Sequence, residues 1–393
     1  MSLSSVRGSI LFISHVYGEG GGQYLNVRNW ALGFAARGYR VHVLYNTQDR
    51  NEKERMDGGL HLFPVQHKWS APADISPLIN FRMISAARHL VSSYEIDLVS
   101  FHSLYRLPAS LAAWSCKLSG LPIVATSHVA RTWGLDPIDL GAMTLGWINT
   151  RLADARTAIG PMAGAFMGDD VSIIWNSVDR VLFDPENRGT IEKAADFRKE
   201  FDLEGKTVIL CPARITLSKG QMDLIKAAAE LKIREKNITL VFAGREDAKY
   251  VLKLKKAAFE YGLSEDLIIL GMRLQKEMPA IYQAADIIAL PSHHAEGIPA
   301  VALEAFAMRK PFIGYDSGGT KDVVRNGENG LLIKEYDIPS LAEGLLNLMG
   351  NGPAGDRIIE AASRDIASDT FTLEGVLDRL EEVFLRFINF PKE

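Results

Sequence analysis

A chain of 393 residues is too long for one ordinary hydrophobic core and comfortable for two. With 47% hydrophobic and 23% charged residues it has the make-up of a soluble globular protein, and a net charge of −4 excludes a nucleic-acid footprint spread over the whole molecule. Residues 1–180 carry 16 Lys and Arg against 14 Asp and Glu, the remainder 28 against 34; the first half is slightly basic, which leaves room for peripheral contact with an anionic membrane. Cys116 and Cys211 stand far apart in apolar settings, the pattern of buried thiols in a reducing compartment. The run Ile10–Ile13 is too short for a signal-peptide core, and no run approaches the ~18 apolar residues of a membrane span. These features predict a cytoplasmic protein, open to peripheral attachment at the inner face of the membrane.

In chain order, Ser9–Ser14 reads as a buried strand, Gly18–Gly22 as a glycine loop, and Gln23–Arg37 as a helix that Gly38 and Tyr39 interrupt before a second strand, Arg40–Tyr45. That is a βαβ unit with parallel strands. Strand-like runs recur at Ile96–Phe101, Pro122–Thr126 and Ser172–Ile174. A second series begins at Thr207–Cys211, continues with a helix over about Lys219–Lys232, and adds strands at Ile238–Ala243, Leu267–Leu270, Ile287–Leu290, Pro311–Gly314 and Gly330–Ile333. The alternation predicts an α/β protein of two Rossmann-like, doubly wound parallel-sheet domains facing a cleft. Residues 183–205, with Pro185, Gly189 and many charges, read as the linker and hinge. The last helix, about 372–388, carries an apolar face (Leu373, Val376, Leu377, Leu380, Val383, Phe384, Phe387) that suits packing back across the cleft or onto its own domain.

Three stretches carry chemistry. Gly20, Gly21 and Gly22 end a strand–loop–helix junction, where backbone approaches a phosphate or sugar closely and a helix start attracts negative charge; a tight turn without ligand is the plain alternative. The dinucleotide fingerprint fails, because Gln23 holds its third glycine position and the second strand ends in Tyr45 and Asn46 without an acid. The P-loop pattern does not occur. Arg214 and Lys219 then bring two cations to the carboxyl end of the second sheet, a guanidinium to fork onto phosphate oxygens and an ammonium as a point charge. Separately each is an ordinary surface charge; together, at that place, they suit a diphosphate.

The stretch 295–304 is the third. Gly297 frees the turn, Pro299 suits the first helical turn, and Ala300 and Val301 offer backbone N–H groups to a phosphate. Glu296 precedes the helix and can face a sugar; Glu304 lies inside it, and its carboxylate can accept from a ribose diol or serve as a helix cap or a surface charge. A glycosidase pair is the rival, but eight helical residues span ~12 Å, beyond the ~5–9.5 Å of such pairs. His128 and His102 each follow a strand, as cleft or core histidines; His293 and His294 lack metal-ligand company, and no metal site is expected. Tyr17, Tyr105 and Trp133 can stack on a sugar or fill the core.

These residues together resemble the retaining nucleotide-sugar glycosyltransferases of the GT-B fold, in glycosyltransferase family four (group 1). The likeness spans most of the chain and is strongest over Thr207–Ile333. It implies that Arg214 and Lys219 hold the donor diphosphate, and that Glu296 and Glu304, eight apart, meet the transferred sugar and the donor ribose. It assigns Gly297, Ile298, Pro299 and Ala300 to sugar and phosphate, Met272 and Arg273 after Gly271 to the base, and Gly20, Gly21 and Gly22 to donor phosphate and acceptor. His128 matches a histidine near the transferred sugar, and Trp175–Asp179 matches a segment before the linker. The chain departs from the pattern at Val129, often Asp, and at Ser177, usually Gly; of a common histidine pair it keeps only His102.

The resemblance implies metal-independent transfer of a hexose-type sugar with retention, Glu296, His128, Arg214 and Lys219 forming the catalytic set. No cofactor is expected; the co-substrate is a UDP-sugar first, a GDP-sugar second, and the acceptor a glycan or lipid-linked glycan of cell-surface polysaccharide synthesis. The domains implied are 1–182 with 372–393 for acceptor, 183–205 as hinge and 206–371 for donor. A nucleotide-sugar epimerase or hydrolase, and a non-catalytic binding subunit, remain as alternatives.

Overall fold

The computed structural model describes residues 6–17, 22–47, 49–66, 77–129, 137–234, 237–293, 297–349 and 353–388. They form two compact units, residues 1–176 with 373–393, and residues 177–372.

The first unit is built on strands β1 (Ser9–Val16), β2 (Arg40–Thr47), β3 (Arg55–Asp57), β4 (Leu60–Gln66), β5 (Leu98–Phe101), β6 (Ile123–Ser127), β7 (Ala155–Ala158) and β8 (Ser172–Ile173), in the order β3-β4-β2-β1-β5-β6-β7-β8. All neighbours pair in parallel except β3 with β4, an antiparallel edge added to the expected parallel sheet. Helices cover both faces, so central strands are continuous apolar runs; Ile10–Ile13 are fully buried. Strand order reverses between β1 and β5, the place where doubly wound sheets bind ligands at their carboxyl ends. The strands β3, β4 and β7 have weak sequence signals: β3 is wholly exposed, β4 contains Pro64, and β7 reads Ala-Arg-Thr-Ala.

The C-terminal helix Leu373–Phe384 belongs to this unit and buries Val376, Leu377, Leu380, Val383 and Phe384 against its core. Phe384 meets Phe34 with ring centroids 5.0 Å apart. Arg37 closes the contact, donating to Glu374 at 2.7 Å, Asp378 at 2.7 Å and Glu381 at 2.8 Å, while the Tyr39 hydroxyl donates to the other Glu381 oxygen at 2.7 Å.

The second unit carries β9 (Thr207–Cys211), β10 (Ile238–Ala243), β11 (Leu267–Gly271), β12 (Ile287–Leu290), β13 (Phe312–Tyr315) and β14 (Leu331–Ile333), all parallel, in the order β11-β10-β9-β12-β13-β14. Its reversal lies between β9 and β12. Residues 183–205 do not form the expected linker. They contain the helix Arg188–Glu200, capped by Asn187, whose side chain accepts from the Thr190 amide at 3.1 Å. Arg198 ties it down by donating to the carbonyls of Ala284 at 2.7 Å, Leu203 at 2.8 Å and Lys206 at 2.9 Å. The proline, the glycine and the charges of that stretch are a helix entry and a solvated helix face; the unit boundary falls at 176/177 instead of 182/183. Both cysteines are buried and free, and burial pushes each thiol up to about 12. Among the described residues no helix is long and apolar enough to cross a membrane.

Candidate active site

In the second unit the loops after β9 and β12 meet at the sheet reversal. After β9 the chain makes a single 3-10 turn, Leu217–Lys219; Gly220 then takes a left-handed conformation (φ +74°), and the helix Gln221–Ile233 follows. Gly220 is needed for two reasons. Its φ is one that side chains disfavour, and a Cβ there would lie 1.8 Å from the Pro291 carbonyl oxygen at the end of β12. The Ser218 carbonyl accepts from the His293 amide at 2.9 Å and the Ser292 hydroxyl at 3.0 Å, so the two loops are bonded as well as packed. Arg214 and Lys219 both arise from this turn region. Arg214 is exposed, and its carbonyl is held by the fully buried Gln221 at 2.9 Å; Lys219 is buried apart from 8% of its surface.

The loop after β12 continues into the helix Ala300–Ala307. Pro299 is the residue ahead of this helix, with extended backbone (φ −71°, ψ 118°), and so stands one position before the first turn where it was expected. The first intrahelical bonds start later, the Ala302 amide donating back to Pro299 at 3.1 Å, which leaves the amides of Ala300 and Val301 at the open helix start. Gly319, in the loop after β13, lets a third segment approach: a Cβ there would sit 2.8 Å from the Gly297 carbonyl carbon. Ile298 is buried and Gly297 half-buried. Met272 and Arg273 lie exposed just after β11.

Glu304 is half-buried, and the hydroxyl of the fully buried Tyr282 donates to its Oε2 at 2.5 Å. Burial raises its carboxyl above the usual carboxylate range, and the Tyr282 bond partly offsets that. The Tyr282 phenol is raised well above its ordinary value, by burial first and the adjoining carboxylate second. Glu304 is therefore neither a helix cap nor a surface charge. Nearby, His293 Nε2 lies 2.9 Å from Asp223 Oδ2, and the Tyr315 hydroxyl donates to the same oxygen at 2.8 Å. The Tyr336 ring stacks on His293 at 4.2 Å.

In the first unit His128 follows β6 and His102 follows β5. Both are buried, His102 Nδ1 lying 3.0 Å from His128 Nε2 and the Ser100 hydroxyl 2.9 Å from His102 Nε2. Burial pushes His128 down to about 3, and burial and then the neighbouring His128 hold His102 well below its ordinary value. Both rings are neutral at physiological pH and poor proton acceptors. Gly22 opens the helix Gly22–Ala36. Gly20, Gly21, Glu296 and Trp133 lie outside the described residues.

The structure thus gathers Arg214, Lys219, Gly297, Ile298, Pro299 and Ala300 around one pair of loops, with Glu304 further along the helix, and places His128 in the other unit. Four partners escaped the sequence: Gln221, Asp223, Tyr282 and Ser100. Tyr282 and Asp223 act through neighbours distant along the chain, which no spacing rule marks, while Gln221 and Ser100 act on residues seven and two positions away through turns that the sequence does not display.

Comparison with known proteins agrees with this division. The family model described as Glycosyltransferase Family 4 matches residues 20–181, and that described as Glycosyl transferases group 1 matches residues 192–365. The chain is 26% identical over 195 residues to an alpha-D-kanosaminyltransferase of Streptomyces kanamyceticus, a match spanning 50% of each protein. It is 26% identical over 294 residues to a GDP-mannose-dependent alpha-(1-6)-phosphatidylinositol monomannoside mannosyltransferase of Mycobacterium tuberculosis, covering 70% of this chain and 71% of that one. Its fold matches that of HepE from Anabaena, solved with UDP and glucose, at a TM-score of 0.78 and 19% identity over 96% of this chain and all of the other. Between them the two family regions occupy most of both units, and the chain belongs to the group 1 glycosyltransferases of the GT-B fold.

Proposed function

We propose that this protein moves a hexose-type sugar from a nucleotide-diphosphate sugar to a glycan or lipid-linked acceptor, with retained configuration and without a metal requirement. The observation that carries the reading is the pairing of Arg214 and Lys219 with an open helix start at the β9/β12 reversal. As the glycosidic bond breaks, negative charge grows on the diphosphate. Two cations and the Ala300 and Val301 amides, fixed before the reaction, stabilise that charge where it develops. Glu304, steadied by Tyr282, takes the ribose hydroxyls, and Glu296 orients the sugar. The acceptor hydroxyl attacks from the leaving-group side and passes its proton to a donor phosphate oxygen. His128, neutral and a poor base, serves as a hydrogen-bonding group to the sugar.

A UDP-sugar is the first choice of donor and a GDP-sugar the second; one relative is named for GDP-mannose and one structural neighbour was solved with UDP. A cytoplasmic site of action at the membrane surface fits a lipid-linked acceptor, and the helix Pro137–Leu152 of the first unit exposes Leu140, Met143 and Trp147 in a manner suited to it.

The test is a melting-point screen over nucleotide sugars, since native-state binding raises the midpoint, followed by a transfer assay with the donor selected. Nucleoside diphosphate release that depends on acceptor, with product of retained anomeric configuration, is expected. Release at the same rate without acceptor would instead identify a hydrolase or epimerase, and stoichiometric binding with no turnover a binding subunit.

A further inference from the structure

The helix Ala248–Glu260 of the second unit, between β10 and β11, has a solvent face that its packing does not explain. Its inner face is complete: Tyr250, Val251, Leu254, Ala257 and Ala258 are buried, at the three- and four-residue spacing of one helical stripe. Asp247 caps its start, accepting from the amides of Lys249 at 2.9 Å and Tyr250 at 3.2 Å. On the opposite side Leu252 is 69% exposed and Phe259 77% exposed. They stand seven positions apart, about two helical turns, and so lie in line along the helix. Phe is a middling helix former, so helix propensity does not account for its place on this face.

Lysines surround this apolar line. Lys249, Lys255 and Lys256 stand three or four positions from Leu252, Lys255 and Lys256 likewise from Phe259, and Lys253 adjoins Lys249 and Lys256 by the same spacing. All four are exposed. Lys249, Lys253 and Lys255 make no ion pair among the described residues; Lys256 lies 3.7 Å from Glu260, the one acid of the helix. Four lysines against one glutamate leave three positive charges on the face. A lysine is a point charge on a flexible stem and lacks the planar fork with which arginine reads a particular carboxylate or phosphate. A convex helix face with two apolar tips and mobile ammonium groups has no pocket and no fixed hydrogen-bond pattern. It suits a laterally uniform anionic plane better than the shaped groove of a protein partner. The lysine stems can also lie along apolar surface while their heads stay in water.

We propose that this face docks the second unit on an anionic bilayer, the helix lying flat, Leu252 and Phe259 entering the headgroup boundary and the lysines meeting lipid phosphates. It is a different surface from the helix Pro137–Leu152 of the first unit, whose one cation is Arg151. The contact deepens the membrane-surface reading above, and rests on that reading only for the acceptor being lipid-linked: the unit that carries Arg214 and Lys219 is then brought to the surface in which such an acceptor lies. The attachment is reversible, because two apolar side chains and three net charges are far less than a buried membrane anchor.

The test is sedimentation of the full chain with vesicles of phosphatidylcholine alone and of phosphatidylcholine mixed with phosphatidylglycerol, at low and at high salt. At low salt wild type is expected to partition onto the anionic vesicles about a hundredfold more than onto the neutral ones, and to lose most of that difference at high salt. Lys249→Gln combined with Lys253→Gln should lower partition onto the anionic vesicles about thirtyfold, and Phe259→Ser about tenfold. These side chains are exposed, so the variants should melt with wild type. Partition of either variant equal to wild type overturns the proposal, whether or not Trp147→Ser in the first unit reduces it. So does a wild-type chain that stays in the supernatant, the result for a face that takes a soluble acidic partner, and so does a dimer without vesicles that Phe259→Ser disperses. Neither nucleotide sugar nor acceptor is present, so a negative result leaves the transferase reading standing, and failure of that reading leaves this result standing.

Discussion

The carbonyl oxygen of Pro291 occupies the space in which a Cβ of residue 220 would sit, 1.8 Å from its centre. Gly220 and Pro291 therefore set the separation of the loops after β9 and β12, and with it the distance from Lys219 to the helix start at Ala300. Gly220→Ala combines a left-handed backbone penalty with a backbone clash. It is expected to cost about 2–4 kcal/mol, visible as a fall of several degrees in the melting midpoint, and to weaken nucleoside diphosphate binding at least about tenfold. A midpoint and affinity equal to wild type would show that the loops do not need this contact.

Tyr282 and Glu304 make a second coupled pair. Tyr282→Phe leaves a half-buried carboxylate oxygen short of a donor, at a cost of about 1–3 kcal/mol. The expected outcome is a donor KM raised up to about tenfold with kcat nearly kept, since the ribose contact is made equally in ground and transition states. A fall in kcat with KM unchanged would move Glu304 from ribose binding to the reacting centre.

Stability is expected to fall in mild acid. Burial lowers His42 to about 4 and His128 to about 3, and lowers His102 as well. Below the unfolded value near 6.5 the unfolded chain binds protons that the folded chain refuses, so the stabilisation is complete above that pH and is lost as pH falls toward the folded values. Each histidine contributes up to about 1.4 kcal/mol per pH unit in that window. Urea midpoints between pH 7.5 and 5 should fall steeply, and His42→Phe should shallow the slope by one proton. Parallel slopes for wild type and His42→Phe would contradict the assignment.

Arg37 binds three carboxylates of the C-terminal helix, of which only Glu381 is largely buried. Two of the pairs are screened by water, so Arg37→Met is expected to cost only about 1–3 kcal/mol. Because Glu381 also takes the Tyr39 hydroxyl, Glu381→Gln, which retains that acceptor, should cost less than Glu381→Ala. Equal midpoints for the two Glu381 variants would exclude a role for the Tyr39 bond.

The two-series α/β plan was legible because central parallel strands contain unbroken apolar runs such as Ile10–Ile13 and Leu240–Ala243. Edge strands were not: β3 buries nothing, and the Pro64 of β4 is a signal against a strand. Residues 183–205 misled for the opposite reason, since a helix packed by one narrow stripe, with Ala194 as its single buried residue, has the charge density of a linker. At the site, Arg214, Lys219 and the segment 297–300 were visible as motifs. Their supports were not. Asp223 is an ordinary helical acid until His293 and Tyr315, remote in the chain, arrive beside it. His102 and His128 were visible as separate residues at two strand ends, and only the parallel pairing of β5 with β6 makes them neighbours.

The claim beneath this account is that the loop after β9 grips a diphosphate. Calorimetric titration of the full chain with UDP and with GDP, for wild type, Arg214→Ala and Lys219→Ala, addresses it without an acceptor. Arg214 is exposed, so Arg214→Ala should melt with wild type. The account predicts one-to-one binding of at least one nucleotide to wild type and a loss of affinity of about tenfold or more in each variant. Binding that is equally tight in wild type and in both variants would contradict it.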